Sequence, residues 1–364
     1  MMNLRVPIAD FRTDRPLVTR LRSCKETDDK SSLRMDSILV RNEGEWSTYY
    51  FHDQRFRIKA PEQDVDGDVL LIFPGQSAAH RIIRSRSLHN TFLVTEQCDQ
   101  LCVMCSQPPK KQHTDLFNLF LDAALLAPNN SVLGVSGGEP LLHKEKLFVF
   151  LENILSYRKD LSFHVLSNGQ NFSAEDCTFL NSPAAERILW GIPIYAPEAE
   201  THDRIVGKEG AFNQLIESFT ILSHTLARIE LRTVLLQSNY STLHYLADFI
   251  TDYLPYSEYW AIMQLENIGY GKLNWSSEFF DSSIEFQNIA RALNIASGRG
   301  LSVSLFNFPL CTIPEAYRRY SVNSISDWKQ KYFSECNNCS ERLHCGGFFR
   351  WYDLANGYKR VSGI

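Results

Sequence analysis

An α/β protein is the fold class this sequence predicts: a partial, TIM-like (β/α)6 barrel with a small β-rich module before it and a cysteine-rich extension after it. Three observations predict it. Strand-like apolar runs alternate with helix-length amphipathic stretches over residues 90–306. Before that region the apolar runs are short and bounded by Gly, Asp and Pro. After it the alternation stops and cysteines gather.

In chain order, residues 1–34 are charged and polar, and "CKETDDKSSLRMD" reads as part of a flexible lead-in. Residues 35–89 carry "SILV", "WSTYYF" and "DVLLIF", which predict the β-rich N-terminal module. The alternating region opens with "TFLV" at 91–94. Its further strands are expected at "VLGVS" (132–136), "SFHVLS" (162–167), "ILWGIPIY" (188–195), "IELRTVLLQ" (229–237) and "YWAIMQLE" (259–266). The intervening helices are expected within 114–127, 144–158, 173–181, 211–226 and 241–254, and a sixth helix within 283–297 follows the sixth strand. In the fifth of these Leu243, Leu246 and Ile250 share one helical face. Such a succession predicts a parallel sheet with helices outside, open or closed, and sites in the loops at the carboxyl ends of the strands. Beyond "LSVSLF" (301–306), residues 307–350 form the cysteine-rich segment and 351–364 a C-terminal tail.

Composition narrows the function. With 364 residues, 44% apolar and 22% charged, the chain has the balance of a globular protein. A formal net charge of −5 supplies no general attraction for nucleic acid or anionic membrane. No apolar run approaches the roughly 18 residues that span a bilayer, and "MMNLRVPIADFRTDRPLVTRL" lacks the apolar segment of a signal peptide. Neither nucleic acid nor membrane is therefore expected as a partner. The expected location is cytoplasmic, where thiols stay reduced and clustered cysteines point to metal.

Seven of the nine cysteines fall in two places. "TEQCDQLCVMCSQPP" holds Cys98, Cys102 and Cys105 just after the first strand of the alternating region. Thiolates suit iron–sulfur clusters and zinc, and three of them leave one position free in a four-coordinate set. In a cubane [4Fe–4S] cluster that is one iron open to a small molecule. Two other readings remain: buried apolar cysteines in a loop, and a zinc site completed by His113 or a more distant residue. Cys311 and "CNNCSERLHC", with Cys336, Cys339 and Cys345, make a second, four-thiol set for a closed [4Fe–4S] cluster or for zinc, and His344 could replace Cys311 in either. Cys24 and Cys177 are left over.

The first loop resembles the radical S-adenosylmethionine (radical SAM) superfamily, whose signature is Cys-x3-Cys-x-Φ-Cys with an apolar or aromatic Φ; here Met104 stands at Φ. The resemblance implies a cluster whose open iron binds SAM. There SAM is cleaved reductively to a 5′-deoxyadenosyl radical that takes hydrogen from a substrate carbon. It implies contact of Met104 with the adenine. It also implies that Gly137, Gly138 and Glu139 of "SGGEP" meet the amino end of SAM, and that Ser167 and Asn168 of "LSNGQ" meet its carboxylate or ribose. Arg232 or Gln237 would add a further contact, while His202 and Asp203 of "THDRIVGKEGAF" are expected to be scaffolding.

"CNNCSERLHCGGFF" resembles the auxiliary-cluster domain of peptide-modifying members, shortened, because Phe349 stands where the family pattern has one more cysteine. Together with "SISDWKQKY" the match is most similar to the His-Xaa-Ser system radical SAM maturases, over roughly residues 85–350. That likeness implies a peptide substrate rich in His-Xaa-Ser repeats, an electron donor such as flavodoxin or ferredoxin, and a second radical SAM maturase as partner. The β-rich module would then be a docking surface. The competing expectations are a radical SAM enzyme acting on a small metabolite or nucleoside, and a non-catalytic iron–sulfur carrier or zinc scaffold.

Overall fold

Val6 and Ile8 point inward between exposed neighbours in β1 (Arg5–Ala9), a period-two pattern that sets the first part of the chain. A computed structural model describes residues 4–23 and 35–364. The chain divides into two compact units. The first comprises residues 1–94, 114–135 and 143–164, and the second 95–113, 136–142 and 165–364.

In the first unit, β1, β2 (Leu17–Arg22), β3 (Asp36–Glu43), β4 (Trp46–Phe51), β5 (Gln54–Ile58), β6 (Val69–Ile72) and β7 (Ala78–Ile83) close into a barrel of order β1-β5-β4-β3-β2-β6-β7. Helix α1 (Glu62–Val65) is a single turn before β6. The β1–β7 pairing, with Val6 opposite Ala79, completes the circle. Val6, Ile8, Leu21, Tyr49, Phe56, Ile58, Leu70 and Ile72 fill its interior.

The expected lead-in is therefore corrected: residues 5–9 and 17–22 are barrel strands. Their charges hid the alternation. Arg20 lies on β2 among the buried Val18, Thr19 and Leu21, and its charge is met by Asp36 of β3 at 2.8 Å. The stretch from Cys24 to Arg34 lies outside the described residues.

The alternating region yields β8 (Asn90–Thr95), α2 (Phe117–Leu125), β9 (Val132–Gly137), α3 (Lys144–Tyr157), β10 (Ser162–Leu166), α4 (Cys177–Leu180), β11 (Ile188–Pro193), α5 (Ala199–Val206), α6 (Ala211–Leu222), β12 (Arg228–Leu235), α7 (Leu243–Tyr253), β13 (Tyr259–Gln264), α8 (Gly269–Leu273), α9 (Trp275–Glu278), α10 (Gln287–Gly298) and β14 (Ser302–Phe306). All six expected strands are present. The sheet has eight, however, because β14 and the two-residue β15 (Ser321–Val322) extend it in the order β15-β14-β13-β12-β11-β10-β9-β8. From β11 to β15 each neighbour pairs parallel.

In β12, Ile229, Leu231, Thr233 and Leu235 are fully buried at every second position. Thr233 accepts from the indole of the buried Trp260 at 2.9 Å and donates to the Ile194 carbonyl at 2.6 Å. α7 buries Leu243, Leu246 and Ile250, the expected face. In the first unit Phe92 stacks on Phe120 and meets Phe150 edge-on. No helix among the described residues is long and apolar enough to cross a membrane.

The segment after β14 is built on aromatic packing. Strands β16 (Gln330–Lys331) and β17 (Phe348–Phe349) pair antiparallel. Phe348, Phe349, Tyr352 and Tyr358 pack with Trp275 and the cysteine-loop residue Met104 in one core cluster. Phe349 thus fills an apolar position where the resembling pattern has a thiol. In the C-terminal tail Tyr358 is buried, and the Lys359 and Arg360 amides donate to Asp281 and to the Ser283 hydroxyl.

A candidate cluster site at the carboxyl ends of the strands

Cys98, Cys102 and Cys105 lie on the loop that leaves β8, all half-buried and unpaired. The backbone holds this loop from two sides. Leu101 and Val103 donate to the carbonyls of Val206 and Ile205 at the end of α5, and Tyr270 of α8 donates to the Cys105 carbonyl. Both partners need glycine beside them. A Cβ on Gly207 would stand 2.8 Å from the Leu101 oxygen, and one on Gly269 would stand 2.4 Å from the Cys105 oxygen. Asn274 adds a side-chain bond to the Val103 carbonyl.

Burial pushes the Cys98 thiol up to about 11, against a lowering from the Gln100 amide, and the nearby Glu139 and Asp99 carboxyls add to the rise. Burial also raises Cys102, and its two sister cysteines raise it further; burial raises Cys105 as well. The three thiols therefore share one electrostatic environment that disfavours free thiolates. A coordinated metal is what deprotonates such groups. The donor set fits an iron–sulfur cluster with one iron left without a protein ligand.

"SGGEP" is tied to this loop more tightly than its expected role requires. Gly138 and Glu139 donate their amides to the Thr95 and Gln97 carbonyls. A Cβ on Gly137 or Gly138 would lie 2.1 Å from the Thr95 oxygen or 2.0 Å from the Gln97 oxygen. The close approach these glycines allow is thus that of the chain's own cysteine loop. Glu139 has no exposed surface. Its Oε1 accepts from the Leu141 amide and the Ser167 hydroxyl, both at 2.8 Å, and its Oε2 accepts from the Asn168 amide. Burial pushes its carboxyl up to about 7 against those three donors.

Ser167 and Asn168 are drawn into the same network. The Ser167 oxygen accepts from Gly169, and the Asn168 amide group donates to Asp99 inside the cysteine loop. Asp99 also pairs with Lys208 at 2.6 Å, and Lys208 donates to Gln170. Two of these, Asp99 and Lys208, were not singled out from sequence. Lys208 is 109 residues from Asp99, so no local pattern announces the pair.

Met104 is buried in the core cluster beside Tyr195, Ile205 and Leu265. Arg232 pairs with the buried Glu230 on its own strand and donates to the Met263 sulfur at 3.2 Å. Gln237 is exposed, with its amide bonded to the Glu278 carbonyl. His202 is buried, accepts from the Tyr195 amide at 3.4 Å and packs on Phe212, while Asp203 accepts from Gly210 and Phe212 at the start of α6. Tyr195 is a further residue that sequence reasoning passed over. It follows β11 at the same end, is buried, and its hydroxyl lies in the field of all three loop cysteines and of Arg232. Its position closing "ILWGIPIY" was the available signal.

Cys311, Cys336, Cys339 and Cys345 line one small cavity. Burial pushes Cys311 up to about 11, lowered by the Ser362 amide and raised by Cys345 and Cys336. Cys345 accepts from the Leu310 and Gly347 amides at 3.4 and 3.3 Å. His344 is largely exposed and faces Glu341. Among the described residues, no three or more His, Cys, Asp or Glu side chains form a ready-made site for a single metal ion.

No family model matches the chain. Over 171 residues it is 26% identical to the antilisterial bacteriocin subtilosin biosynthesis protein AlbA of Bacillus subtilis, an alignment covering 45% of this chain and 37% of AlbA. The chain spans well under two thirds of the length of the curated relative it matches. Among solved structures, Streptococcus suis SuiB bound to S-adenosylmethionine is 13% identical with a TM-score of 0.49, covering 61% of this chain and 51% of SuiB. The structure anSMEcpe with bound AdoMet is 11% identical with a TM-score of 0.46, covering 58% of this chain and 63% of that one.

Proposed function

We propose that this chain is a radical SAM enzyme that modifies a ribosomally made peptide. The observation that carries the reading is the three-thiol loop at the carboxyl ends of the strands, with its thiols in one shared environment. Cys98, Cys102 and Cys105 would hold a [4Fe–4S] cluster. With SAM bound at the open iron, the cluster supplies one-electron cleavage of the sulfonium.

This chain's own residues do the holding and shielding. Gly137 and Gly138 let the second turn seat against the cysteine loop. Glu139, buried and threefold hydrogen-bonded, fixes that turn to the Ser167–Asn168 turn. Asn168 and Lys208 hold Asp99, and with it the loop between the first two thiols. In this reading Glu139, Ser167 and Asn168 are positioning residues, and Met104 is part of the wall behind the loop. Tyr195, just after β11, lies within electrostatic reach of the three loop cysteines and of Arg232 on the neighbouring strand.

The substrate class rests on the alignment with a bacteriocin biosynthesis protein and on the likeness to His-Xaa-Ser system maturases. The peptide would be one with His-Xaa-Ser repeats, the reductant a flavodoxin or ferredoxin, and a second radical SAM maturase would act beside this one. The second cysteine set would hold an auxiliary [4Fe–4S] cluster. Four thiols lining one cavity supply the soft donors that such a group takes.

The test is anaerobic reconstitution with iron and sulfide, followed by reduction in the presence of SAM. The expected result is 5′-deoxyadenosine from the wild type and a loss of at least a hundredfold in Cys102→Ala, with one cluster's iron missing. Undiminished product from Cys102→Ala would overturn the reading. Mass spectrometry of a co-expressed His-Xaa-Ser peptide tests the substrate; an unchanged peptide mass in a preparation that cleaves SAM rejects that class.

A further inference from the structure

The last residues described do not trail into solvent but cross the wall of the four-thiol cavity. Ser362, Gly363 and Ile364 line it together with the cysteines. The Ile364 amide donates to the Cys339 sulfur at 3.5 Å, and the Ser362 amide is directed at Cys311. The segment is anchored on both sides of these contacts. Ser340 grips the Ile364 carbonyl with its amide at 2.9 Å and its hydroxyl at 2.8 Å. Upstream, the Lys359 and Arg360 amides are held by Asp281 and Ser283, and Val361 packs on the core cluster. Gly363 passes close to the chain it crosses, since a Cβ there would lie 3.1 Å from the Glu335 oxygen and 3.5 Å from Cys339.

Amide hydrogens aimed at ligand sulfurs stabilise the more negative, reduced state of an iron–sulfur group, and a covering segment keeps water from it. We propose that residues 361–364 are a strap over the auxiliary metal group, raising its reduction potential and slowing solvent access through the amides of Ser362 and Ile364. The inference rests on the reading of Cys311, Cys336, Cys339 and Cys345 as ligands of an iron–sulfur cluster.

The test compares the full chain with Ile364→Pro, Ser362→Pro and Ile364→Ala, all reconstituted anaerobically. Proline removes the amide hydrogen and alanine keeps it. Three quantities are read: iron and sulfide per chain, the potential from an EPR-monitored redox titration, and the rate at which a ferrous chelator strips iron. Expected are a more negative auxiliary potential and several-fold faster stripping in both proline variants, with Ile364→Ala unchanged. Wild-type potential and stripping rate in both proline variants would overturn the strap. If a proline variant fails to load, Ser340→Ala, which loses one of the bonds gripping Ile364, must strip faster, and wild-type behaviour there overturns it equally. A wild-type chain that loads iron for only one cluster, or zinc at the C-terminal cysteines, instead rejects the reading beneath the proposal, and iron content alone separates that outcome.

Discussion

His202 shows how a residue in a functional-looking motif can serve the fold. It sits almost without exposed surface between Tyr195 and Phe212, and burial pushes its pKa down to about 4 although Asp203 pulls the other way. The folded state therefore prefers the neutral ring, whereas the unfolded chain takes up a proton below its ordinary value near 6.5. Stability should be full above that value and fall as pH drops from 6.5 towards 4, by about 3 kcal/mol in all. Urea midpoints at pH 7 and pH 5 check this: the drop should shrink in His202→Leu. An equal drop in wild type and variant would assign the effect to other groups.

At this scale the cysteines were legible and their wiring was not. Spacing alone groups Cys98, Cys102 and Cys105, because the three fall within eight positions on one loop. The bonds that seat the loop join Asn168 to Asp99 across 69 positions and Asn168 to Glu139 across 29. Partners that far apart leave no periodic trace, so the bonds that Glu139 and Asn168 make within the protein were not legible from the sequence.

Among the elements, the strand ends are joined by side chains in the loops. Asn239, fully buried after β12, accepts from the Leu236 amide at 2.8 Å and donates to the carbonyls of Val234 at 3.0 Å and Tyr195 at 3.2 Å. It ties the end of β12 to the end of β11, where Tyr195 faces the loop cysteines. Asn239→Ala leaves three buried backbone groups without partners and should cost about 3 kcal/mol, measured by denaturant unfolding; a loss under about 1 kcal/mol would mean water replaces the side chain. The strands themselves were legible because apolar runs bounded by turn residues have few alternatives. Two elements departed from expectation for physical reasons. "SAEDCTFLN" opens on a Ser173–Asp176 capping box but makes only a 3-10 turn and the four-residue α4, since the chain leaves the helix at Asn181, two residues before Pro183, which cannot continue it. β15 has two residues, too few to show a period.

For the molecule as a whole, the first unit was the least legible. Charged residues on the outward positions of β1 and β2 lowered the average hydrophobicity until the inward ones disappeared from view. Leu21 tests the assignment directly, because it has no exposed surface inside the barrel. Leu21→Ala should cost about 2–5 kcal/mol and remove hydrogen-exchange protection across β1 to β7. Retained protection there would return the segment to the status of a lead-in.

Closure of that barrel has a consequence for how a peptide could be received. Every strand, including β1 and β7, already has a neighbour on both sides. No strand of this circle is a free edge along its whole length, which disfavours addition of a guest chain as an extra strand. A precursor guided by this unit would be gripped mainly through protruding side chains, and selectivity would follow side-chain identity rather than the guest's ability to lie straight.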